Sequence, residues 1–474
     1  MKRFKNIIAA MLALCCTIAV TACDDEAPVS SGNSSAANTA PATTAATTTA
    51  TMNEDDAEKV AEIEIDAKQL ENGTVKFLSS WDLNPAEGQP ISVALEMFQT
   101  KYGGRIELVN TTWDGRYDKL GTLVASDDSP DMFSAADMDV FPKGAIKGMF
   151  EPLDAYIDFG SELWKPMASV NEQFAFNGKH YVGAYDTDTQ CMMFYNARTI
   201  EDNSLDDPME LAKAGNWTWD TFWDMMTKFC DRDEGKWATD GWWFEGGFSQ
   251  TCGYPYIGME DGKIVHNLDN PMIEKVQDFM LNMKNNDFPL PKSEFNWQIQ
   301  PKRIAEGKTL FYPVGAYALY PYNGYIQDFG DMADVRIAPM PKCPYTDEYY
   351  LPAIVAGFSL CKGAKNPEGV AACLTCCMAS RDSEAAKEIG MRQAFEDYGW
   401  TQQLWDDYQY ILDLTNEHPV IELYNAVTDK VADLVNNPMK EGYNSGASWT
   451  QTREGIRAAV QNELDKANAE LAAE

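Results

Sequence analysis

The sequence predicts an α/β fold for the chain from about residue 74 onward. Strand-like segments rich in β-branched and aromatic residues alternate there with amphipathic helical segments, which is typical of a parallel sheet flanked by helices. The composition agrees, because 45% of the 474 residues are hydrophobic and 23% are charged, as in globular proteins. A chain of this length suffices for two or three domains and a large buried core.

The first five elements give the order strand, helix, strand, helix, strand. They are predicted at residues 74–81, 90–102, 105–110, 117–126 and 131–135. Ile91, Leu95 and Phe98 share one face of the first helix, and apolar residues alternate with polar ones in the second strand. This order predicts a parallel sheet, with a ligand site beyond the carboxyl ends of its strands.

Later helices are predicted from their starting signals and their spacing. Thr218 is a favourable N-cap for a helix at 219–229. Asn366 is likewise expected to start a helix, with Pro367 at its first position. At the C-terminus, apolar residues recur every three or four positions and predict a helix; they are Ile456, Val460, Leu464, Ala467 and Leu471.

The charge of the chain excludes some classes of partner. There are 38 Lys and Arg against 73 Asp and Glu, for a formal charge of -35, which argues against binding to nucleic acid and to anionic membrane surfaces. Only three histidines are present, so a zinc site or a Ser-His-Asp triad is poorly supplied.

The N-terminus is predicted to be a targeting segment. Lys2, Arg3 and Lys5 precede an uncharged stretch at 7–20 that is short for a transmembrane helix. Residues 20–23 (VTAC) resemble a bacterial lipobox, which implies a signal peptide at 1–22 and a lipid anchor on Cys23. Residues 23–70 are predicted to be a tether rich in Ser, Thr and Ala, with a short helix within 55–70 that either docks on the domain or does not.

Several segments, in this order, resemble the family 1 extracellular solute-binding proteins, the substrate-capturing lipoproteins of sugar ABC importers. The matching segments are 127–133 (DDSPDMF), 148–158 (GMFEPLDAYID), 195–198, 215–222 (GNWTWDTF), 306–311, 335–341 and 357–368. The resemblance covers about residues 74–472 and implies the type II periplasmic-binding-protein fold, with two lobes, a hinge and a cleft between the lobes. Lobe 1 is predicted at 71–185 with 340–395, and lobe 2 at 186–339 with 396–474.

The first candidate binding segment is 241–247, where Trp242, Trp243 and Glu245 lie among glycines. Sugars need carboxylate or amide hydrogen-bond partners for their hydroxyls and flat aromatic rings for their C–H faces. If the segment is a strand, neighbouring side chains point to opposite sides, so one of the two tryptophans is expected to face the core.

Further candidates lie at strand ends and at the predicted lobe crossing. Trp81 and Asp82 follow the first strand, and Asp137 follows the third; Trp81 either contacts ligand or covers the core, and Asp137 either contacts ligand or is solvated. Tyr185 and Asp186 lie where the chain is expected to cross between the lobes for the first time, and they could be hinge residues, site residues or both. Weaker candidates are Tyr317 and Trp449.

Metal and nucleotide motifs are incomplete. Cys373, Cys376 and Cys377 share a helix face but lack a second cysteine pair or a nearby histidine, so we expect them to pack like small apolar residues. The segment 307–309 lacks the first glycine of a P-loop, and 231–235 has its glycine one position early for a calcium loop. No metal, cofactor or catalytic residue is therefore predicted.

The sequence thus predicts a monomeric, lipid-anchored protein on the outer face of the cell membrane. It is expected to bind a carbohydrate, with an oligosaccharide favoured, and to deliver it to an ABC permease. The alternatives are a surface glycosidase, a glycan-retention protein without a transporter, and a binding protein for a ligand other than sugar.

Overall fold

The computed structural model describes residues 52–85, 91–112, 115–135, 140–241, 244–260 and 262–473. The strands within these ranges are, in chain order, β1 (Thr74–Ser79), β2 (Arg105–Asn110), β3 (Met132–Ser134), β4 (Phe150–Glu151), β5 (Ala175–Phe176), β6 (Lys179–His180), β7 (Gly183–Thr189), β8 (Met192–Asn196), β9 (Trp237–Thr239), β10 (Ile257–Glu260), β11 (Lys263–His266), β12 (Thr309–Val314), β13 (Val335–Ala338), β14 (Leu351–Cys361) and β15 (Pro419–Val420).

The α-helices of the same ranges alternate with these strands. They are α1 (Glu54–Ala61), α2 (Val93–Tyr102), α3 (Arg116–Ala125), α4 (Ala168–Gln173), α5 (Ala197–Asp202), α6 (Pro208–Lys213), α7 (Trp219–Phe229), α8 (Phe244–Gln250), α9 (Pro271–Asn285), α10 (Lys302–Ala305), α11 (Pro367–Arg381), α12 (Glu384–Glu396), α13 (Gln402–Glu417), α14 (Tyr424–Val427), α15 (Asp429–Ser445) and α16 (Trp449–Ala473).

The first sheet is built around three parallel strands. Its order is β15-β14-β3-β1-β2, and β4 and β7 also pair with β14. β1 pairs with β2 and β3 in parallel, whereas β14 is antiparallel to β3 and to β7. These pairings confirm the parallel sheet predicted for the start of the fold. Parallel neighbours need a long crossover connection, and here α2 and α3 provide it.

Capping residues set the starts of the predicted helices. The Thr218 hydroxyl accepts a hydrogen bond from the Thr221 N–H, and Asn366 caps α11 through the Gly369 N–H. Ser92 caps α2, which ends at Gly103 in the left-handed conformation, φ 68°. The predicted helices at 219–229 and 366 onward are confirmed, while the first one starts at Val93 rather than at residue 90.

The second sheet has the order β13-β8-β12-β9, with β9 and β12 parallel. A tight aromatic core covers it: Trp217, Phe222 and Phe311 pack with ring centroids 5.4–5.8 Å apart. The Trp217 indole N–H donates to the Pro339 carbonyl at 2.8 Å, so even this buried polar group has a partner.

The chain passes from one sheet to the other between β7 and β8, and again between β13 and β14. α13 packs against strands of both sheets, namely β7, β13 and β14. Its Tyr408 hydroxyl donates to Asp188 of β7 at 3.2 Å, and its Asp407 forms ion pairs with Lys213 and Arg336. The division into two lobes at the predicted residue boundaries remains a prediction.

The segment before β1 docks on the first sheet's helices. α1 packs on α2 and α12, where Val60 is fully buried, Lys59 pairs with Glu388 at 2.6 Å and Asp56 pairs with Arg392. The Lys101 ammonium also donates to the Ala61 carbonyl at 3.0 Å. Of the two alternatives left open for the short helix within residues 55–70, the structure shows the docked one.

Cys23 and the predicted signal peptide lie outside the described residues. Within the described ranges, no helix has the length and apolar character needed to cross a membrane. Cys373 and Cys376 are buried on α11 as free thiols, as expected for small packing residues.

Candidate functional site

The carboxyl ends of β1, β2 and β3 lie side by side at one edge of the first sheet. Leu78 pairs with Val109 on one side and with Phe133 on the other, so the residues after these strands emerge together. We call this the first edge. Trp81 and Asp82 lie there, while Asp137, which follows β3 in the sequence, lies outside the described residues.

A row of aromatic rings runs along the first edge and includes two predicted residues. Trp81 contacts Phe77 at a centroid distance of 5.9 Å, Phe77 contacts Phe358 at 5.7 Å, and Phe358 contacts Tyr185 at 5.8 Å. Phe77 and Phe358 are buried, whereas Trp81 and Tyr185 are partly exposed at the two ends of the row. The structure therefore brings Trp81 and Tyr185 to the same edge.

Asp82 organises its own loop. Its Oδ1 accepts hydrogen bonds from the Asn84 backbone N–H at 2.9 Å and from the Asn84 side-chain amide at 2.8 Å. The same amide donates to the Ile106 carbonyl, which fixes the loop to β2.

The carboxyl ends of β9 and β12 define a second edge, on the second sheet. Asp240, 1% exposed, accepts hydrogen bonds from the Gly241 N–H at 2.7 Å and the Gln300 N–H at 2.6 Å, and its burial raises its pKa. Gly241 has φ 124°, and a Cβ there would lie 2.9 Å from the Pro313 carbonyl oxygen, so only glycine is accommodated. Trp242 and Trp243 come next and lie outside the described residues.

Glu245 lies at this second edge, in the first turn of α8. The residue is 1% exposed, and its Oε1 accepts a hydrogen bond from the Asn444 amide at 2.9 Å. Its Oε2 is buried without a hydrogen-bond partner among the described residues. A buried acceptor of this kind is costly unless a ligand or water satisfies it, which makes Glu245 the strongest of the predicted site residues in the described part.

The segment after Trp243 is helical, which corrects the strand considered from the sequence. Gly247 allows close packing, because a Cβ on this residue would lie 2.7 Å from the Cys191 Cβ. α8 thereby contacts the segment that joins β7 to β8, and Gln250 donates to Gln190 there at 3.1 Å.

Tyr317 also lies at the second edge. It follows β12, is partly exposed, and packs edge-on against Tyr325 at a centroid distance of 5.7 Å. The neighbouring Gly315 adjoins both the Tyr317 ring and the Gln190 carbonyl. The structure thus places Tyr317 beside the crossing between the two sheets.

Asp186 has protein partners at the crossing. Its Oδ1 accepts hydrogen bonds from the Thr187 N–H at 2.9 Å and from Arg381 of α11 at 3.1 Å. Asp188 lies two residues further along β7 and was not among the predicted site residues. Burial, with a smaller effect of Asp186, raises its pKa to about 7.

Trp449 is a core residue, contrary to its selection as a site candidate. It is 2% exposed, its indole N–H donates to the Leu268 carbonyl at 3.3 Å, and its ring packs on Tyr256. Trp449 lies seven residues before Ile456, which places it on the inward face of α16. That helical spacing was the available signal.

One contact that sequence reasoning did not identify joins the predicted lobes. The Lys143 ammonium lies 2.7 Å from the Asp429 carboxylate at the start of α15, and the Val140–Gly144 segment packs on α14. The Lys143 side chain is 8% exposed and also lies over the Tyr117 ring at 5.1 Å.

Within the described ranges, no group of three or more His, Cys, Asp or Glu side chains is arranged to hold a metal ion. The loop at 231–235 uses its Asp231 carboxylate to accept the N–H groups of Asp233 and Glu234. This is an ordinary turn in which the side chain bonds the backbone just after it.

A model of the bacterial extracellular solute-binding proteins matches residues 84–377, more than half of the chain. The chain belongs to this family. The assignment places this solute-binding protein in an extracellular or periplasmic location, and the family's activity is the binding of solutes. No curated protein matches the chain by sequence.

Solved structures share the fold of this solute-binding protein at low sequence identity. The sugar-binding protein MalE from Xanthomonas citri superposes with a TM-score of 0.62 at 15% identity, over 83% of this chain and 98% of its own. The GacH receptor of Streptomyces glaucescens gives 0.60 at 14% identity, over 83% and 98%. The substrate-binding protein Lmo0181 from Listeria monocytogenes, in complex with cycloalternan, gives 0.57 at 16%, over 84% and 98%. These likenesses establish the type II periplasmic-binding-protein fold.

Proposed function

We propose that this protein captures an oligosaccharide between its two edges and delivers it to an ABC permease. The observation that carries the proposal is the buried Oε2 of Glu245, which has no hydrogen-bond partner among the described residues and lies at the edge that also holds Tyr317. Trp242 and Trp243 precede Glu245 in the sequence. A carboxylate acceptor beside aromatic rings has the chemistry that sugar hydroxyls and C–H faces require. Neighbours of the same fold, crystallised with cycloalternan and acarbose, support a sugar as the solute.

We further propose that the protein works as a monomer attached to the outer face of the membrane through a lipid on Cys23. The basic residues, the uncharged stretch and the cysteine of the N-terminus support this anchor. A diacylglycerol carries two acyl chains, which suffice for stable membrane attachment.

The mechanism that we propose is closure around ligand, without chemistry. Contacts from both edges favour the closed form, and a shift from 1:99 to 99:1 closed needs about 5.5 kcal/mol of preference. β7, β14 and the connections beside them link the two sheets, so bending is expected there. Trp81 and Tyr185 would supply contacts from the first edge, and Glu245 and Tyr317 from the second.

A thermal-shift screen of sugars, peptides and polyamines tests the proposal, because a ligand that binds only the native state raises the melting temperature. We expect oligosaccharides to raise it, and we expect Trp242→Ala or Trp243→Ala to weaken sugar binding in calorimetry at unchanged melting temperature. Stabilisation by peptides or polyamines alone contradicts a sugar ligand. The appearance of new reducing ends during incubation with glycans favours the glycosidase instead.

A further inference from the structure

Trp297 has the largest exposed fraction of the large hydrophobic residues in the described ranges, at 65%. It lies between Asn296 and Gln298, in the loop that leads from α9 to α10. Exposed single hydrophobic residues are common, so exposure alone says little. The backbone and the position of this residue make it informative.

The backbone of Trp297 is strained. Its φ is 60°, directly after Asn296 at 54°, and it is the one aromatic residue among the described non-glycine residues with positive φ. Asn and Asp tolerate this conformation, whereas a bulky residue seldom adopts it. Hydrogen bonds hold the turn, since the Trp297 N–H donates to the Lys292 carbonyl at 2.8 Å and the Gln298 N–H to the Phe295 carbonyl at 3.0 Å.

Burial of the ring does not explain the strain, because most of the ring faces solvent. Strained backbone of this kind persists where the surrounding structure enforces it, and it concentrates at ligand-binding positions. A small polar residue would meet the local requirement better than tryptophan. The tryptophan therefore calls for an explanation outside the loop.

The position of the loop supplies one. Thr239 pairs in parallel with Pro289, and the Leu290 N–H donates to the Thr239 carbonyl at 2.8 Å, so both segments leave the second sheet at the second edge. Asp240 then joins them, through its hydrogen bonds with the Gly241 and Gln300 N–H groups. The loop that carries Trp297 is thus fixed to the start of the segment 241–247.

We propose that Trp297 is an outer stacking platform for a sugar unit of an oligosaccharide whose other units are held between the edges. This inference rests on the proposed function and adds a determinant of chain length to it. The flat ring offers the hydrophobic face that a sugar needs, and the amides of Asn296 and Gln298 flank it with donors and acceptors for hydroxyls. The enforced turn keeps the ring in solvent, so little ordering is required on binding.

The test measures affinity against chain length. Malto-, cello-, xylo- and manno-oligosaccharides, from disaccharide to hexasaccharide, are titrated calorimetrically into the wild-type protein and into Trp297→Asn. We expect Trp297→Asn to weaken binding of the longer members by about tenfold, or about 1.4 kcal/mol, and to leave the disaccharide unchanged. Its melting temperature should be no lower, because Asn tolerates the positive φ.

Two further variants serve as controls. Trp297→Tyr retains a flat ring and should retain most of the chain-length dependence. Tyr156→Ala removes an aromatic residue, 39% exposed, that follows β4 of the first sheet, and it should change no affinity. Iodide quenching of tryptophan fluorescence adds a direct readout, since a long oligosaccharide should protect more fluorescence in the wild type than in Trp297→Tyr.

The failure of this inference is distinguishable from that of the proposed function. If the wild-type protein binds oligosaccharides and Trp297→Asn binds all lengths equally well, the platform is wrong and the proposed function stands. An equal loss at every length also overturns the platform, since the ring then affects the cleft itself. If no member of the four series binds to the wild type, both proposals fail.

Discussion

At the scale of single residues, Glu245 is the carboxylate whose surroundings point most directly to a ligand. It is buried, one of its oxygens is bonded to Asn444, and the other has no partner in the described part of the chain. Leaving a carboxylate oxygen unsatisfied costs stability, so such a group is expected where a ligand completes its hydrogen bonds.

We expect Glu245→Gln to weaken oligosaccharide binding by about tenfold or more, because hydrogen bonds to charged groups contribute about 1.5–3 kcal/mol. Stability should not fall, since the substitution removes a buried charge and keeps the side chain's shape. Calorimetry with the best sugar from the screen, together with thermal melting, measures both. Glu260→Gln, at an exposed position, is the control. Unchanged affinity in Glu245→Gln would exclude this carboxylate from the site.

Sequence alone separates the tryptophans of this protein only in part. Trp449 has a helical spacing to Ile456 that indicates a core position. Trp297 has no such spacing, and its exposure and positive φ result from a loop closed by Lys292 and Phe295. Hydrophobic residues are found both in cores and on surfaces, so the residue type does not determine the environment.

At the scale of elements, β7 carries an ionisable residue where the chain crosses between the sheets. Asp188 is 5% exposed, its pKa is raised to about 7, and it accepts hydrogen bonds from the Thr189 N–H and the Tyr408 hydroxyl. Tyr408 belongs to α13, which contacts both sheets. The protonation of Asp188 therefore affects the contact between β7 and α13.

The free energy of unfolding is expected to fall as the pH rises from about 4 to about 7. In that window the folded protein retains a proton on Asp188, while the unfolded chain has lost it, so each increase in pH favours unfolding. Asp188→Asn should remove this part of the decline, on the order of 4 kcal/mol, because each pKa unit corresponds to about 1.4 kcal/mol. Urea unfolding from pH 4 to pH 8 measures the free energy of unfolding of the wild type and of Asp188→Asn. If the difference between the two proteins stays constant over this range, Asp188 does not cause the decline.

Elements with local signals were predicted closely, and those set by tertiary contacts were not. β2 and α7 match their predicted ranges, because alternation defines the strand and Thr218 caps the helix. The segment that contains the start of α8 was considered as a strand, and its glycines do not favour a helix in isolation. Close packing of Gly247 on Cys191 decides that local structure, and sequence spacing does not report it.

At the scale of the whole molecule, the ion pair between Lys143 and Asp429 connects segments assigned to different predicted lobes. The hydrogen bond with Lys143 lowers the pKa of Asp429, and Lys143 is largely buried against Tyr117. An attraction between lobes favours the closed form and thereby increases the apparent affinity for ligand.

We expect Asp429→Asn to favour the open form and to weaken oligosaccharide binding by about twofold to fivefold, within the range of partly exposed ion pairs. Small-angle X-ray scattering should show a larger radius of gyration without ligand. Glu162→Gln, which removes an exposed pair with Lys165 three residues later, is the matched control and should change neither quantity. If Asp429→Asn behaves like this control, the pair does not influence closure.

The docking of α1 sets a limit on how far the domain can stand from its proposed anchor. Because residues 52–70 are held against α2 and α12, only residues 24–51 remain to connect Cys23 to the folded part. An extended chain spans no more than about 3.5 Å per residue, so docking of these 19 residues shortens the longest possible connection by up to about 65 Å. If the proposed lipid anchor on Cys23 holds, the docking of α1 thus limits the height above the membrane at which the domain can reach the proposed permease.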